Sequence, residues 1–367
     1  MNILHTEWSN GWGGQEQRIV LESRLFKERG HQVLIATRAA GELFFRAHRE
    51  GITTIPVPFR KSMDFSSMKI LRKIIKAEKI DLVVTHSSVD SWVAAGALFG
   101  QRDAAWVRMR HLSIPPAKNP FNLIYQRPDL IITTSESIAE MLIRTQKLDK
   151  TKVVSVPTGV DLSRFKPEIS GEKVRGELGL ESREIMILYA AVLRSWKRHD
   201  LVLDAFRKIE TQLPTARLIF AGEGPQRENI QRRIADLGLK EKVILMGHRE
   251  DVPEVIAAAE ICILASDRGE GVPQAVGQYL AMRKPVIAAN VGGVSELIIP
   301  GMTGWLVDPG SVNAIAEALV ESAESLERLK GLGMSGRELV EMRWGAETMA
   351  EKLESLYQRC IEQKRRK

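Results

Sequence analysis

Two cysteines in 367 residues, Cys262 and Cys360, are too few and too far apart for a disulfide framework or a thiolate metal site. Their scarcity points to a reducing compartment. No run of 18 apolar residues occurs, so no segment reads as a membrane-spanning helix. The opening Met1-Asn2-Ile3-Leu4-His5 enters a strand directly, without the basic start and apolar stretch of a secretory leader. A cytoplasmic protein is expected. Neither half carries the spaced-glycine dinucleotide fingerprint with its ribose-binding acid, which argues against a dehydrogenase. There is no Asp-x-Asp element to hold a metal, no internal repeat and no nucleic-acid motif, so nucleic acid is not expected as a partner.

What is present is the balance of a globular protein, 44% hydrophobic and 27% charged, with length enough for two domains. The net charge of +7 is unevenly placed. Residues 1–165 carry 24 Lys and Arg against 16 Asp and Glu; the remainder carry 29 against 30. A basic first half implies an acidic partner, such as an anionic membrane surface or a phosphorylated glycolipid. The segment Ser66–Lys79 sharpens this reading. Ile70, Leu71, Ile74 and Ile75 share one helical face; Lys69, Arg72, Lys73, Lys76 and Lys79 share the other. A solvated helix face is the plainer reading of these charges, and membrane-surface contact the sharper one.

Short apolar runs alternate with helical periodicity along the whole chain, which defines an α/β protein built on parallel sheets. In such sheets ligands bind beyond the carboxyl ends of the strands. The informative residues sit at those ends. Gly13 and Gly14 follow the first strand and open a helix, where backbone N–H groups can approach a phosphate or sugar. His86 follows the fourth strand and His111 the fifth, with Arg108 and Arg110 beside it as candidates for acceptor phosphates. Low apolar content around 166–184 marks a boundary, giving domains 1–165 (joined by the closing helix 345–367) and 166–344. The tail Lys364–Lys367 reads as disordered. In the second domain, Arg194 and Lys197 lie in a strand-to-helix loop, where cations can neutralise a diphosphate leaving group.

The stretch SDRGEGVPQAVGQYLAMRKP, Ser266–Pro285, organises the rest. A buried strand, Ile261–Ala265, ends in a loop carrying Glu270, Gly271 and Val272; Pro273 then introduces a helix. Glu270 in the loop and Gln278 on the helix can grip two parts of one polar ligand. A solvated carboxylate and a surface glutamine are the plainer alternative.

This stretch resembles the donor site of retaining glycosyltransferases of family 4, in which a Glu, seven residues and a second Glu precede a helix end of the Ala-Met-Ala-x-Gly-x-Pro-Val type. Here Glu270 is the first and Gln278 replaces the second. Pro157-Thr158-Gly159-Val160-Asp161, Ala221-Gly222-Glu223-Gly224-Pro225 and Gly292-Gly293-Val294-Ser295-Glu296 resemble further elements of that family. The resemblance implies two Rossmann-like domains facing across a cleft, the GT-B fold. It implies Glu270 on the sugar hydroxyls, Lys197 and Arg194 on the diphosphate, and Gln278 on the ribose. Gly271 and Val272 would border the donor, Arg249 would mark backbone groups around the nucleobase, and Gly13-Gly14 would lie by the reacting centre. His111 would contact the donor sugar. His86, Arg108 and Arg110 are carried as acceptor residues. The implied activity is transfer of a sugar, with retained configuration and no metal or other cofactor, from a nucleotide sugar such as a UDP-sugar to a glycan or glycolipid. Lipopolysaccharide-core or surface-polysaccharide synthesis at the inner face of the plasma membrane fits. A nucleotide-sugar epimerase of the same fold and a catalytically inactive nucleotide-sugar-binding module are the alternatives.

Overall fold

The computed structural model describes residues 1–116 and 122–366. It divides into two compact units, Met1–Thr158 with Ala346–Lys367, and Gly159–Gly345. Among the described residues no helix is long and apolar enough to cross a membrane.

The first unit holds seven strands: β1 Asn2–Glu7, β2 Gln32–Thr37, β3 Thr53–Pro56, β4 Leu82–Thr85, β5 Ala105–Arg110, β6 Leu130–Thr133 and β7 Val153–Ser155. They are all parallel, in the order β3-β2-β1-β4-β5-β6-β7. Parallel sheets are covered on both faces, so their strands read as continuous apolar runs. One face packs Leu4, Val83 and Trp106; the other packs Ile3, Val84 and Val107 against the helices Gly14–Glu28 and Ala346–Arg365. The order reverses between β1 and β4, and the crevice at their carboxyl ends is the natural ligand position.

The second unit repeats the scheme with six strands: β8 Ile185–Ala190, β9 Ala216–Ala221, β10 Val243–Gly247, β11 Ile261–Leu264, β12 Val286–Ala289 and β13 Gly304–Val307. Their order is β10-β9-β8-β11-β12-β13, again all parallel. The reversal falls between β8 and β11. The loops carrying Lys197 and Glu270 leave those two strands, so this topology makes neighbours of residues 73 apart.

Two boundaries differ from the sequence reading. Residues 159–165 pack with the second unit: Val160 bridges Gly345 and donates its N–H to the Trp344 carbonyl at 2.7 Å, and Phe165 joins the core of β8–β13. The closing helix runs to Arg365 rather than fraying at Lys364, because Lys364 pairs with Asp129 at 3.2 Å and Arg365 with Asp81 at 2.7 Å. Lys367 lies outside the described residues. The basic helix spans Phe65–Ala77, with Asp64 accepting the Ser67 N–H at its start. Leu71, Ile74 and Ile75 are buried, while Lys69, Lys73 and Lys76 face solvent beside the exposed Phe65 and Met63.

Candidate active site

Glu270 is buried in the loop after β11, although it carries a carboxylate. Such a group needs partners, and it has two. Lys197 Nζ donates to its Oε1, and Ser266 Oγ donates to the same oxygen at 2.6 Å. Lys197 is held in turn through its backbone: its carbonyl accepts the Tyr189 hydroxyl at 2.7 Å. The loops are clasped directly as well. The Asp267 N–H donates to the Trp196 carbonyl at 2.9 Å, and Arg198 reaches Asp267 at 3.4 Å. Behind them Tyr279, on the helix Gln274–Ala281, receives the Ala190 N–H at 2.8 Å. The end of β8 is thereby pinned to the helix that carries Gln278.

The loop after β12 braces Glu270 from the other side. Gly293 donates to the Gly271 carbonyl at 3.0 Å. Gly292 has φ +59°, and a Cβ there would sit 2.0 Å from the Glu270 carbonyl oxygen. Only glycine tolerates both that conformation and that approach. Gly271 and Val272 are buried beside it. Gln278 is half-buried one to two turns into its helix.

The remaining cations divide sharply. Arg194 is exposed and lies over the Trp196 ring, 5.0 Å from its centroid. Arg249 is committed to Asp251 at 2.8 Å and Glu177 at 3.0 Å, hydrogen bonds that raise its already high pKa. Its side chain is therefore engaged, which leaves backbone groups to act at that position. Arg198, which the sequence reading passed over, adopts a left-handed φ of 52° and pairs with Asp200 at 2.9 Å.

Next to this loop, Arg194, Arg198, His199, Gln226, Asn229 and Arg233 line a cavity of about 360 Å³. His199 is 2% exposed, stacked 4.5 Å from the Tyr189 ring, and neither ring nitrogen has a hydrogen-bond partner among the described residues. Burial, then the charge of Lys197, lowers its pKa to about 3. The unfolded chain takes up the proton first, so this contribution to stability is full above about pH 6.5 and is lost as pH falls from there toward 3. About 2 kcal/mol should go between pH 7 and pH 5 through this residue alone. Urea denaturation at the two pH values should show this loss, and His199→Phe should remove it; an unchanged difference in the variant would refute the assignment.

In the first unit three histidines gather, His5 inside β1, His86 just past β4 and His111 just past β5. His5 Nδ1 lies 3.0 Å from His86 Nε2, and His86 Nδ1 lies 3.1 Å from His111 Nε2. Burial depresses all three, His86 and His111 most. His5 also faces Glu22 at 3.7 Å. Asp90 accepts from the Thr6 hydroxyl at 2.8 Å and from the His86 N–H at 2.8 Å.

Gly13 caps the helix Gly14–Glu28, and its N–H is taken by the Glu16 carboxylate at 2.9 Å. Nearby Glu7 accepts from the backbone of Trp8 and Ser9; burial and the proximity of Asp90 push its carboxyl well up. The Gly13 N–H is thus engaged by a carboxylate of the helix that it caps. Arg108 is 1% exposed, lies over the Tyr125 ring and donates to the Ser87 carbonyl at 3.2 Å. A buried, stacked guanidinium is not placed to meet an acceptor phosphate from solvent. Arg110 is partly exposed and donates to the Ile114 carbonyl.

Two units built on open parallel sheets, with the glycosyltransferase structures that superpose on the chain, place it in the GT-B fold class. Residues 12–164 match the family model described as Glycosyltransferase Family 4, and residues 170–338 that described as Glycosyl transferases group 1. The chain belongs to the family 4 glycosyltransferases. It is 22% identical to N-acetyl-alpha-D-glucosaminyl L-malate synthase of Bacillus anthracis, over 90% of each chain. It is 26% identical to an Escherichia coli UDP-Gal:alpha-D-GlcNAc-diphosphoundecaprenol alpha-1,3-galactosyltransferase, over 70% of each. Among solved structures, a Rickettsia africae glycosyltransferase superposes with TM-score 0.88 at 22% identity, covering 98% of both chains. Anabaena HepE in complex with UDP-glucose superposes with TM-score 0.87 at 21% identity, covering 97% of this chain and 99% of its own.

Proposed function

We propose that the protein transfers a sugar from a nucleoside-diphosphate sugar to a hydroxyl of a glycan or glycolipid, with retained anomeric configuration and without a metal. The observation that carries this reading is the Lys197–Glu270–Ser266 cluster at the β8/β11 switch point. Negative charge develops on the diphosphate as the glycosidic bond breaks. Lys197 has three N–H donors, so it can hold Glu270 and a phosphate oxygen together. Glu270, fixed by Ser266 and Lys197, keeps lone pairs for sugar hydroxyls. Gln278 offers an uncharged amide to the ribose. Named relatives and neighbours that use or bind UDP-sugars support a UDP-sugar donor.

The acceptor is proposed to be a lipid-linked glycan at the cytoplasmic face of an anionic membrane, as in lipopolysaccharide-core or surface-polysaccharide synthesis. Lys69, Lys73 and Lys76, with the exposed Phe65 and Met63 beside them, are the surface that would meet it.

A panel of UDP-, GDP- and ADP-sugars in EDTA tests the proposal, with and without vesicles containing anionic lipid. One nucleotide series should bind and be slowly hydrolysed, and the protein should sediment with anionic but not neutral vesicles at low salt. Absence of binding to every nucleotide sugar would sink the transferase reading.

A further inference from the structure

His5 lies within β1, and His86 and His111 lie one residue beyond the adjacent strands β4 and β5, so the three climb the sheet in two-residue steps. His5 is in register with Val84, two residues before His86. Val84 is in register with Val107, which places His111 two residues beyond the partner of His86. Two-residue steps keep side chains on one face of a sheet. Successive rings are tilted by only 28° and 25°, with centroids 5.3 Å apart at both steps, so they meet edge to edge. The result is one hydrogen-bonded chain of imidazoles running from the buried middle of β1 to the carboxyl edge of β5.

A chain of neutral imidazoles has only two self-consistent proton arrangements, because each ring carries one N–H and one lone pair. In one, every Nδ1 is protonated; in the other, every Nε2 is. The inner end chooses between them. His5 Nε2 is buried and lies 3.7 Å from Glu22 Oε1. A lone pair turned toward a carboxylate is repelled, and an N–H turned toward it is attracted. Glu22 is itself fixed: Tyr357 donates to its Oε1 at 2.6 Å, and Arg18, fully buried one helical turn away, lies 3.7 Å from its Oε2.

We propose that Glu22 sets the tautomer of His111 through His5 and His86, so that His111 Nδ1 stands as a hydrogen-bond acceptor for a sugar hydroxyl. With Nε2–H on His5, its Nδ1 accepts from His86 Nε2–H; His86 Nδ1 then accepts from His111 Nε2–H. The remaining lone pair is on His111 Nδ1, the nitrogen outside the chain. Burial keeps all three rings neutral; Arg18 and Arg108 reinforce it at His86, Arg18, Arg110 and Arg108 at His111, while at His5 the pull of Glu22 is outweighed by burial with Arg18. Glu22, His5 and His86 are positioning residues; His111 is the group that touches ligand, and this part rests on the transferase reading above.

The test is ¹⁵N-histidine labelling of the full chain. Long-range ¹H–¹⁵N correlation separates protonated from unprotonated ring nitrogens, and single His→Gln variants assign the seven histidines. His5, His86 and His111 should all show Nε2–H with a bare Nδ1. An Nδ1–H tautomer on any of the three would overturn the proposal. The double variant Arg18→Met/Glu22→Leu removes both buried charges together, which spares the fold an unpaired ion. It should show mixed tautomers at His111 and a kcat lower by about tenfold, with the donor KM within about twofold of wild type. Unchanged tautomers in a folded double variant would also refute it. The wild-type spectrum is read without ligand, so failure of the donor panel and failure of the relay are separate results.

Discussion

Lys197→Ala should lower kcat by about 10²–10³-fold, the usual cost of removing a preorganised group that stabilises developing anionic charge. The same change leaves Glu270 buried with Ser266 as its one side-chain partner among the described residues. Stability of the second unit should therefore fall by about 2–3 kcal/mol. Glu270→Ala should abolish transfer as well and strand the ammonium of Lys197. The decisive comparison is the double variant Lys197→Ala/Glu270→Ala. With both charges gone, nothing is left unpaired, and its stability should return toward wild type while activity stays lost. A double-mutant cycle on urea stability reads this directly. If the double variant is as unstable as the sum of the singles, the pair does not act as a unit. If Lys197→Ala keeps wild-type kcat, the diphosphate is neutralised elsewhere.

Gly292→Ala should be the most damaging methyl in the chain for the donor site. The added Cβ would meet the Glu270 carbonyl oxygen at 2.0 Å and its carbon at 2.8 Å, with the backbone at φ +59°. A left-handed alanine costs about 1–2 kcal/mol, and overpacking against rigid backbone about 1–3 more. The nearer loop must yield, and the Glu270 carboxylate moves with its own backbone. Donor affinity should drop along with thermal stability. Gly301→Ala is the control: its φ is +76° but nothing lies within 4 Å of the added carbon, so it should carry the backbone cost alone and keep donor affinity. Equal losses in the two variants would mean that conformational strain, rather than contact with Glu270, is responsible.

Much of this arrangement was legible in the sequence because it depends on local order. Glu270 and Lys197 each follow an apolar strand and precede a helix, and parallel topology then puts such loops on one edge. What they do together was not legible. The Lys197–Glu270 pair spans 73 residues, and only the order β8-β11 makes the strands neighbours. Arg108 looked available because it lies among other arginines. Yet Trp106, Arg108 and Arg110 alternate with Val107 and Met109, and a parallel sheet covered on both faces buries either set. His5 and Glu22 were passed over because each looks like an ordinary interior position of a strand or a helix. The signal was there in faint form: histidines at or near the ends of β1, β4 and β5. The tail looked solvated because the acids that receive it, Asp81 and Asp129, lie more than 200 residues earlier.

The return of the closing helix to the first unit has a consequence for how the chain assembles during synthesis. Residues 159–345 form a continuous segment and can complete their core as soon as they are made. The first 158 residues, though synthesised earlier, cannot. One face of their sheet, with Val84, Val107 and Ile132, is covered jointly by Leu25 and Phe26 of the helix Gly14–Glu28 and by Met349, Leu353, Leu356 and Tyr357 of the closing helix. Until that helix emerges, the part of this face not covered by the helix Gly14–Glu28 is an open apolar surface, and the Glu22 carboxylate lacks the Tyr357 hydroxyl. The part of the protein made first is finished last.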